Sequence, residues 1–245
     1  MAQLQRLAIA PFQFQSGKIN LTSQQQHYLT HVLRLRDGNL FIAMDGIGQW
    51  WLAKLEGTQA SILEQVPAVQ TELPVSVTLA IALPKGNGFD EIVRQCTELG
   101  VACIAPVIGD RTLLTPSTNR LERWRRIAQE AAEQSERQVV PVILTPIPFR
   151  LSLATENGDK YICVTRGDRP HLLGCLRTSI LSAELTTVTI ATGPEGGWAT
   201  SEIEDAIAAG FQPVSLGRRI LRAVTAPVAA LSVVAAAVEE NAGRE

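Results

Sequence analysis

Hydrophobic positions along the chain follow two rhythms. Up to about residue 72 they come in short runs, Leu40–Met44, Trp50–Leu55 and Ala60–Val66, separated by turn pairs such as Asp45-Gly46 and Glu56-Gly57. Such runs, bounded by turn residues, predict the strands of a small β-rich module. One stretch departs from this. After Thr22 or Ser23, either of which can cap a helix, Tyr28, Leu29, Val32 and Leu33 recur at helical spacing until Asp37-Gly38 turns the chain. Residues 65–74 carry Pro67 and Pro74 without a clear period and predict a linker.

Beyond the linker, apolar runs alternate with amphipathic stretches. Strands are predicted at Val75–Leu83, Cys103–Val107, Val140–Leu144, Tyr161–Thr165, Thr186–Thr192 and Pro213–Leu216. Helices are predicted over Asp90–Leu99, Asn119–Gln138, Pro170–Leu181, Thr200–Ala209 and Thr225–Glu239. Gly100 and Gly210 stop two of them, where a glycine readily takes the left-handed turn that ends a helix. Alternation of this kind predicts an α/β domain with a mostly parallel sheet covered on both faces. The expected division is residues 1–72 and 73–245.

Composition narrows the classes. The chain has 245 residues, enough to bury a core without staples. No apolar run reaches the roughly 18 residues of a membrane span. The longest, Ala226–Val238, contains Pro227 and Ser232 and predicts a buried helix. Residues 1–14 hold too short an apolar stretch for a signal peptide, so a cytoplasmic protein is expected. Cys96, Cys103, Cys163 and Cys175 form no C-x-x-C pair, which favours reduced thiols over a disulfide frame or zinc site. His27 and His31 are four apart, as zinc ligands can be, but no third ligand is near; no metal is expected, and an RNA-facing or capping role fits better. The net charge of −2 argues against attachment to nucleic acid by bulk charge, while leaving room for a local basic patch.

Three segments could carry chemistry. Thr192-Gly193-Pro194-Glu195-Gly196-Gly197-Trp198 joins a predicted strand to a predicted helix. Ligands of open α/β sheets sit beyond the carboxyl ends of strands, and glycines let backbone approach them closely. A tight turn is the plainer reading. No G-K-[ST] follows and no G-x-G-x-x-G is formed, so nucleotide phosphates are not indicated. Leu216-Gly217-Arg218-Arg219-Ile220-Leu221-Arg222 also follows a strand and leads to Thr225, a potential helix cap; solvated surface arginines are the alternative. Arg120, Arg123, Arg125 and Arg126 surround Trp124 on one helix, which suits phosphate contact and base stacking. A charged face with a buried Trp124 is the slightly better reading, because Glu130, Glu133 and Glu136 can pair along the helix.

The ordered set of motifs resembles a known family. Gly193-Pro194-Glu195-Gly196-Gly197 and Leu216-Gly217-x-Arg219-Ile220-Leu221-Arg222, then Thr225-Ala226, look like the two signature segments of the RsmE family, the 16S ribosomal RNA (uracil-N3) methyltransferases of the SPOUT class. His27-Tyr28-Leu29, Val32-Leu33-Arg34, Asp45-Gly46-x-Gly48, Lys85, Thr97-Glu98-Leu99-Gly100-Val101, Glu122-Arg123-Trp124, Ala131-x-Glu133-Gln134-Ser135 and Arg137 are similar to further stretches of it. The resemblance runs from about residue 20 to 235. It implies a PUA-like β-barrel followed by a trefoil-knotted α/β methyltransferase domain, a homodimer, and S-adenosylmethionine as cofactor. The substrate it implies is 16S rRNA, met within the small ribosomal subunit.

By the same resemblance, the cofactor would be held by Leu83, Thr192, Gly193, Pro194, Glu195, Gly196, Gly197, Leu216, Gly217, Ile220, Leu221, Arg222, Thr225 and Ala226. A cation near the uracil carbonyls would favour the deprotonated base, with Arg222 the first candidate and Arg137 the second; no general base stands out. RNA contacts are expected at His27, His31, Arg34, Arg36, Arg123 and Arg126. One departure matters: Val224 stands where the family usually has Glu. That keeps open a non-catalytic rRNA-binding protein of the same fold. A ribose 2′-O-methyltransferase is a further alternative.

Overall fold

The structure, a computed structural model, describes residues 4–67, 70–112, 118–154, 158–181 and 186–242. It divides into two units, residues 1–72 with 132–140 and residues 73–131 with 141–245.

The first unit is a six-stranded sheet in the order β1-β4-β5-β6-β3-β2. Its strands are β1 (Arg6–Ala8), β2 (Phe14–Gln15), β3 (Lys18–Asn20), β4 (Leu40–Met44), β5 (Trp50–Glu56) and β6 (Gln59–Val66), with one short helix, α1 (Ser23–His27). β1 pairs with β4 in parallel and the other pairs are antiparallel. A core of Leu7, Ile19, Leu29, Phe41 and Leu55, among others, is fully shielded. The capping expectation holds at Thr22: its hydroxyl accepts the Gln25 N–H at 3.2 Å, and the Gln25 side chain returns to the Thr22 N–H at 2.9 Å. The predicted helix does not continue regularly. Tyr28–Val32 widens to a π-turn closed by the Leu33 N–H on the Tyr28 carbonyl at 2.9 Å, and Arg34 takes a left-handed φ of 57°. The wider turn keeps Leu29 in the core but leaves Val32 58% exposed.

Residues 132–140 complete this unit. Glu133 accepts the buried Ala8 N–H at 2.7 Å, and Glu136 pairs with Arg6 at 2.7 Å. Arg137 is buried against Glu72, whose carboxylate also takes the Gln138 N–H at 3.0 Å.

In the second unit seven parallel strands run in the order β10-β8-β7-β12-β11-β13, with β9 also on β8. They are β7 (Ser76–Ala82), β8 (Cys103–Ile108), β9 (Val142–Ile143), β10 (Ile147–Pro148), β11 (Asp159–Cys163), β12 (Thr187–Thr192) and β13 (Gln212–Val214). The helices are α2 (Gly88–Glu98), α3 (Thr118–Gln134), α4 (Phe149–Ser152), α5 (Leu172–Leu181), α6 (Thr200–Ala208) and α7 (Thr225–Ala242). Val77, Leu79, Ile81, Val188 and Ile190 in the central strands are at most 1% exposed, as a sheet covered on both faces requires. α7 packs on β7 and β12 and against α2 and α5, which explains its nearly all-apolar sequence.

α3 ends four residues before the predicted Gln138. Glu136 adopts φ 62° and the Arg137 N–H bonds the Ala132 carbonyl at 3.0 Å, a Schellman-type stop made without glycine. No helix is long and apolar enough to cross a membrane among the described residues. The architecture agrees with the expected class as far as topology goes: a small β-rich unit followed by a parallel α/β unit.

Candidate active site

A cleft of about 1150 Å³ opens in the second unit, where β11, β12 and β13 end. This is the carboxyl edge of the sheet, where parallel strands deliver their loops. The loop after β12 contributes all of Gly193–Trp198, and the loop after β13 contributes Leu216, Gly217 and Arg219–Val224. Cys163–Arg166 at the end of β11 form a third side, and Ala226 of α7 closes it.

The Gly193–Trp198 loop is held from several directions. Trp198 is 7% exposed and stacks on Phe149 at 4.1 Å between ring centres. A Cβ at Gly193 would lie 3.2 Å from the Trp198 indole nitrogen, so glycine is the residue that lets the indole lie flat on the loop. Gly197 takes φ 68°, where a side chain would be strained. The Arg111 guanidinium donates to the carbonyls of Gly196 at 2.7 Å and Trp198 at 3.3 Å, and Glu195 accepts the Lys85 N–H at 2.9 Å. At the start of α6, the buried Glu202 carboxylate accepts the N–H groups of Ala199 at 2.8 Å and Asp110 at 2.9 Å. That ties the loop after β8 to the helix start.

The Leu216–Val224 loop is built otherwise. The Ser215 hydroxyl accepts the Gly217 N–H at 3.0 Å, and Gly217 takes φ 115°. The Thr225 and Ala226 N–H groups then bond the Arg222 carbonyl and open α7, so Thr225 is its first helical residue rather than its cap. In between, the N–H groups of Arg218 to Val224 have no backbone acceptor among the described residues. Val224 lies against α2: a Cβ added at Gly88 would come within 2.5 Å of its Cγ1.

The expected cofactor residues come together, with three set back. Leu83 and Thr192 are buried and do not line the cleft, and Thr225 is exposed at the head of α7. Arg222 lines the cleft and is exposed. Arg137 corrects the sequence reading. It is 2% exposed and committed to Glu72 within the first unit, with no face left for a uracil. His27, His31, Arg34 and Arg36 are all exposed on the first unit, the two imidazoles stacked at 4.5 Å. Arg123 is paired with Asp90 at 2.7 Å, and Arg126 lies 3.7 Å from Glu130. Trp124 is 1% exposed and donates to Asp90 at 3.1 Å, so it is a core residue and not a stacking platform for bases.

Sequence reasoning missed Arg111 and Arg166. Arg166 was open to discovery, since Thr165-Arg166-Gly167 follows a predicted strand in the same way as the two loops that were singled out. Burial pushes the Cys163 thiol up to about 12, so it stays protonated at neutral pH and offers no base.

The cleft fits a nucleoside sulfonium. Its floor is apolar at Pro194, Trp198 and Ala223, all buried. Its strip of free N–H donors suits ring nitrogens and a carboxylate. The buried Trp198 indole N–H and Thr192 hydroxyl, both without a partner, lie at or just under its wall. The Gly193–Gly197 loop, the strip from Leu216 to Arg222 and Ala226 would hold the cofactor.

The chain is similar to known proteins over nearly its whole length. A family model described as an RNA methyltransferase domain matches residues 71–235, and one described as an RNA methyltransferase PUA domain matches residues 21–63. A ribosomal RNA small subunit methyltransferase E from Synechocystis sp. is 52% identical, covering 96% of this chain and 78% of that protein. The Bacillus subtilis protein of the same name is 30% identical over 88% of each. Among solved structures, a ribosomal RNA small subunit methyltransferase E from Neisseria gonorrhoeae bound to S-adenosyl methionine superposes with a TM-score of 0.82 at 30% identity, covering 94% of this chain and 96% of that one. A Legionella pneumophila protein in complex with SAM gives a TM-score of 0.84 at 26% identity, covering 96% and 98%. These matches span both units and the whole cleft, and the chain belongs to the family of ribosomal RNA small subunit methyltransferase E.

Proposed function

We propose that this protein transfers a methyl group from S-adenosylmethionine to N3 of one uridine in 16S ribosomal RNA, acting as a cytoplasmic homodimer on the small ribosomal subunit. The observation that carries this reading is the cleft itself: a strip of backbone donors without backbone acceptors that includes the exposed Arg222, in a chain of this family.

When bound, the cofactor supplies an electrophilic methyl carbon on a cationic sulfur. The chain's residues then have three tasks. The Gly193–Trp198 wall fixes the donor's position, which matters most in an in-line displacement where charge is lost toward the transition state. The buried floor excludes water. Arg222, set beside a uracil carbonyl, favours the N3-deprotonated base by charge and hydrogen bonding. N3 is normally paired, so the uridine enters unpaired or flipped out. The exposed His27, His31, Arg34 and Arg36 form an RNA-facing surface on the first unit. Arg123 is left out of it because Asp90 already neutralises it.

The test is tritium transfer from labelled cofactor to small subunits, with digestion of the RNA and identification of the modified nucleoside. Label in 3-methyluridine is the expected result; label on ribose overturns the N3 assignment. Sedimentation should show a dimer. A second reading follows from Val224, which places an apolar side chain against Gly88 at the cleft: a protein that binds cofactor and RNA without turnover. Cofactor binding by calorimetry with no transfer would select it.

A further inference from the structure

Among the described residues, eight arginines are paired in place. Arg6, Arg94, Arg123, Arg125, Arg126, Arg137, Arg150 and Arg177 each have a carboxylate within 4 Å. Arg150 has two, Asp110 and Asp205, and they hold its pKa above the usual arginine value. Around the cleft the pattern reverses. Arg166 and Arg169 follow β11, and Arg218, Arg219 and Arg222 follow β13. All five are exposed. Among the described residues, no carboxylate oxygen comes within 4 Å of any of their guanidinium nitrogens. Asp168 lies in the same loop and Glu195 across the cleft, so the local balance is strongly positive in a chain whose net charge is −2.

Keeping five like charges unpaired on two short loops costs self-repulsion, which a polyanion relieves. The geometry points to a second RNA-binding surface: Arg166, Arg169, Arg218 and Arg219 form a phosphate-binding rim around the methyl-transfer cleft. It would engage the RNA backbone on either side of the target nucleotide. The inference rests on the proposed function and extends it. The first unit supplies one basic surface, and the rim supplies another that draws in and orients the segment to be methylated. Arginine suits the task, because its planar fork can hold a phosphate through two N–H donors. Such contacts position RNA and carry no base preference.

The Arg169 and Arg218 side chains do not line the cleft, and glutamine keeps the Arg218 backbone N–H, so R169Q/R218Q removes two rim guanidinium groups and leaves the donor strip in place. Binding to naked 16S rRNA and to assembled small subunits is measured over a range of salt, with S-adenosylmethionine affinity by calorimetry and folding by thermal melts. The expected result is RNA affinity reduced by roughly tenfold at moderate salt. The slope of log affinity against log salt should be shallower by about 1.4 to 1.8, as for two lost phosphate contacts. Cofactor affinity and melting should be unchanged. R125Q, at an arginine already paired with Glu122, should leave RNA affinity within twofold. If the double variant binds naked rRNA with parental affinity and slope, the rim is not an RNA surface, whereas the methyltransferase reading stands. Weakened binding to assembled subunits alone would assign the rim to a ribosomal protein and overturn the inference. A parent chain that binds neither would overturn both.

Discussion

Between Gly193 and Trp198, the parts that could move are held by protein: the indole covers Gly193, Arg111 grips two carbonyls, and Glu195 takes the Lys85 N–H. Between Leu216 and Val224, Ser215 anchors the start and the Arg222 carbonyl anchors the end, and the donors in between are left open. The first loop is a wall whose shape exists before any ligand arrives. The second is a donor strip whose hydrogen bonds are made by whatever enters. Substitutions in the wall should therefore act through stability and cofactor fit, and substitutions in the strip through turnover and recognition.

The largest effect is expected in the strip. Arg222→Ala should lower methyl transfer by on the order of 100-fold or more, because the N3-deprotonated base loses the cation that favours it. Cofactor and RNA affinity should stay near parental, as calorimetry and filter binding would report. Near-parental turnover would remove Arg222 from the chemistry.

In the wall, Gly193→Val should crowd Trp198, where even a Cβ sits 3.2 Å from the indole. Overpacking of this kind costs about 1–3 kcal/mol. A melt should fall by roughly 2–4 °C for each kcal/mol in a domain of this size, with cofactor affinity falling too. An unchanged melt would show that the wall is softer than its contacts suggest.

Arg111→Ala removes two hydrogen bonds to wall carbonyls, each worth about 1 kcal/mol net. Cofactor affinity should drop severalfold with a small change in melting temperature. If melting falls steeply while cofactor affinity holds, Arg111 serves the fold and not the site. Gly196→Val sharpens the same point, because its Cβ meets the Arg111 side chain at 3.2 Å. Its effect on the cofactor should be no larger than that of Arg111→Ala, as titration would show.

The smallest effect is in pH. Burial raises both Cys96 and Cys163 to about 12. In the unfolded chain they ionise near the ordinary thiol value of about 8.5. Their neutral forms therefore favour folding fully below that value, and the contribution is lost as pH rises toward 12. Melting temperature should decline from about pH 9 upward, and Cys96→Ala should flatten the decline. Between pH 6 and 8 neither thiol should shape the methylation profile.

Local signals in the sequence carried most of the elements. The β4 run Leu40–Met44 matches the predicted span, because a continuous apolar run between flanking turns leaves little choice. The loops after β12 and β13 were legible because glycines beside strand ends have few other uses. Failures came where distant residues decide. Glu136 accepts a left-handed turn in a setting where its own carboxylate holds Arg6, and no periodicity reports that. Arg137 and Arg222 look equivalent as letters; burial against Glu72 separates them. The order β7-β12-β11-β13 brings three remote loops to one cleft, and no local pattern reports that strand order.

The barrel's discontinuity has a practical consequence for dissecting the protein. Residues 1–72 look like a cassette that could be cut out and expressed. Excision would discard Glu133, Glu136 and Arg137. The Ala8 N–H, buried under Glu133, would lose its acceptor, Arg6 its counter-ion, and Glu72 the guanidinium and backbone donors it gathers. A loop-out fusion that carries 132–140 back to the barrel by a short linker is the smallest autonomous fragment this architecture allows. A donor barrel from another protein could replace this one only along with its own closing segment.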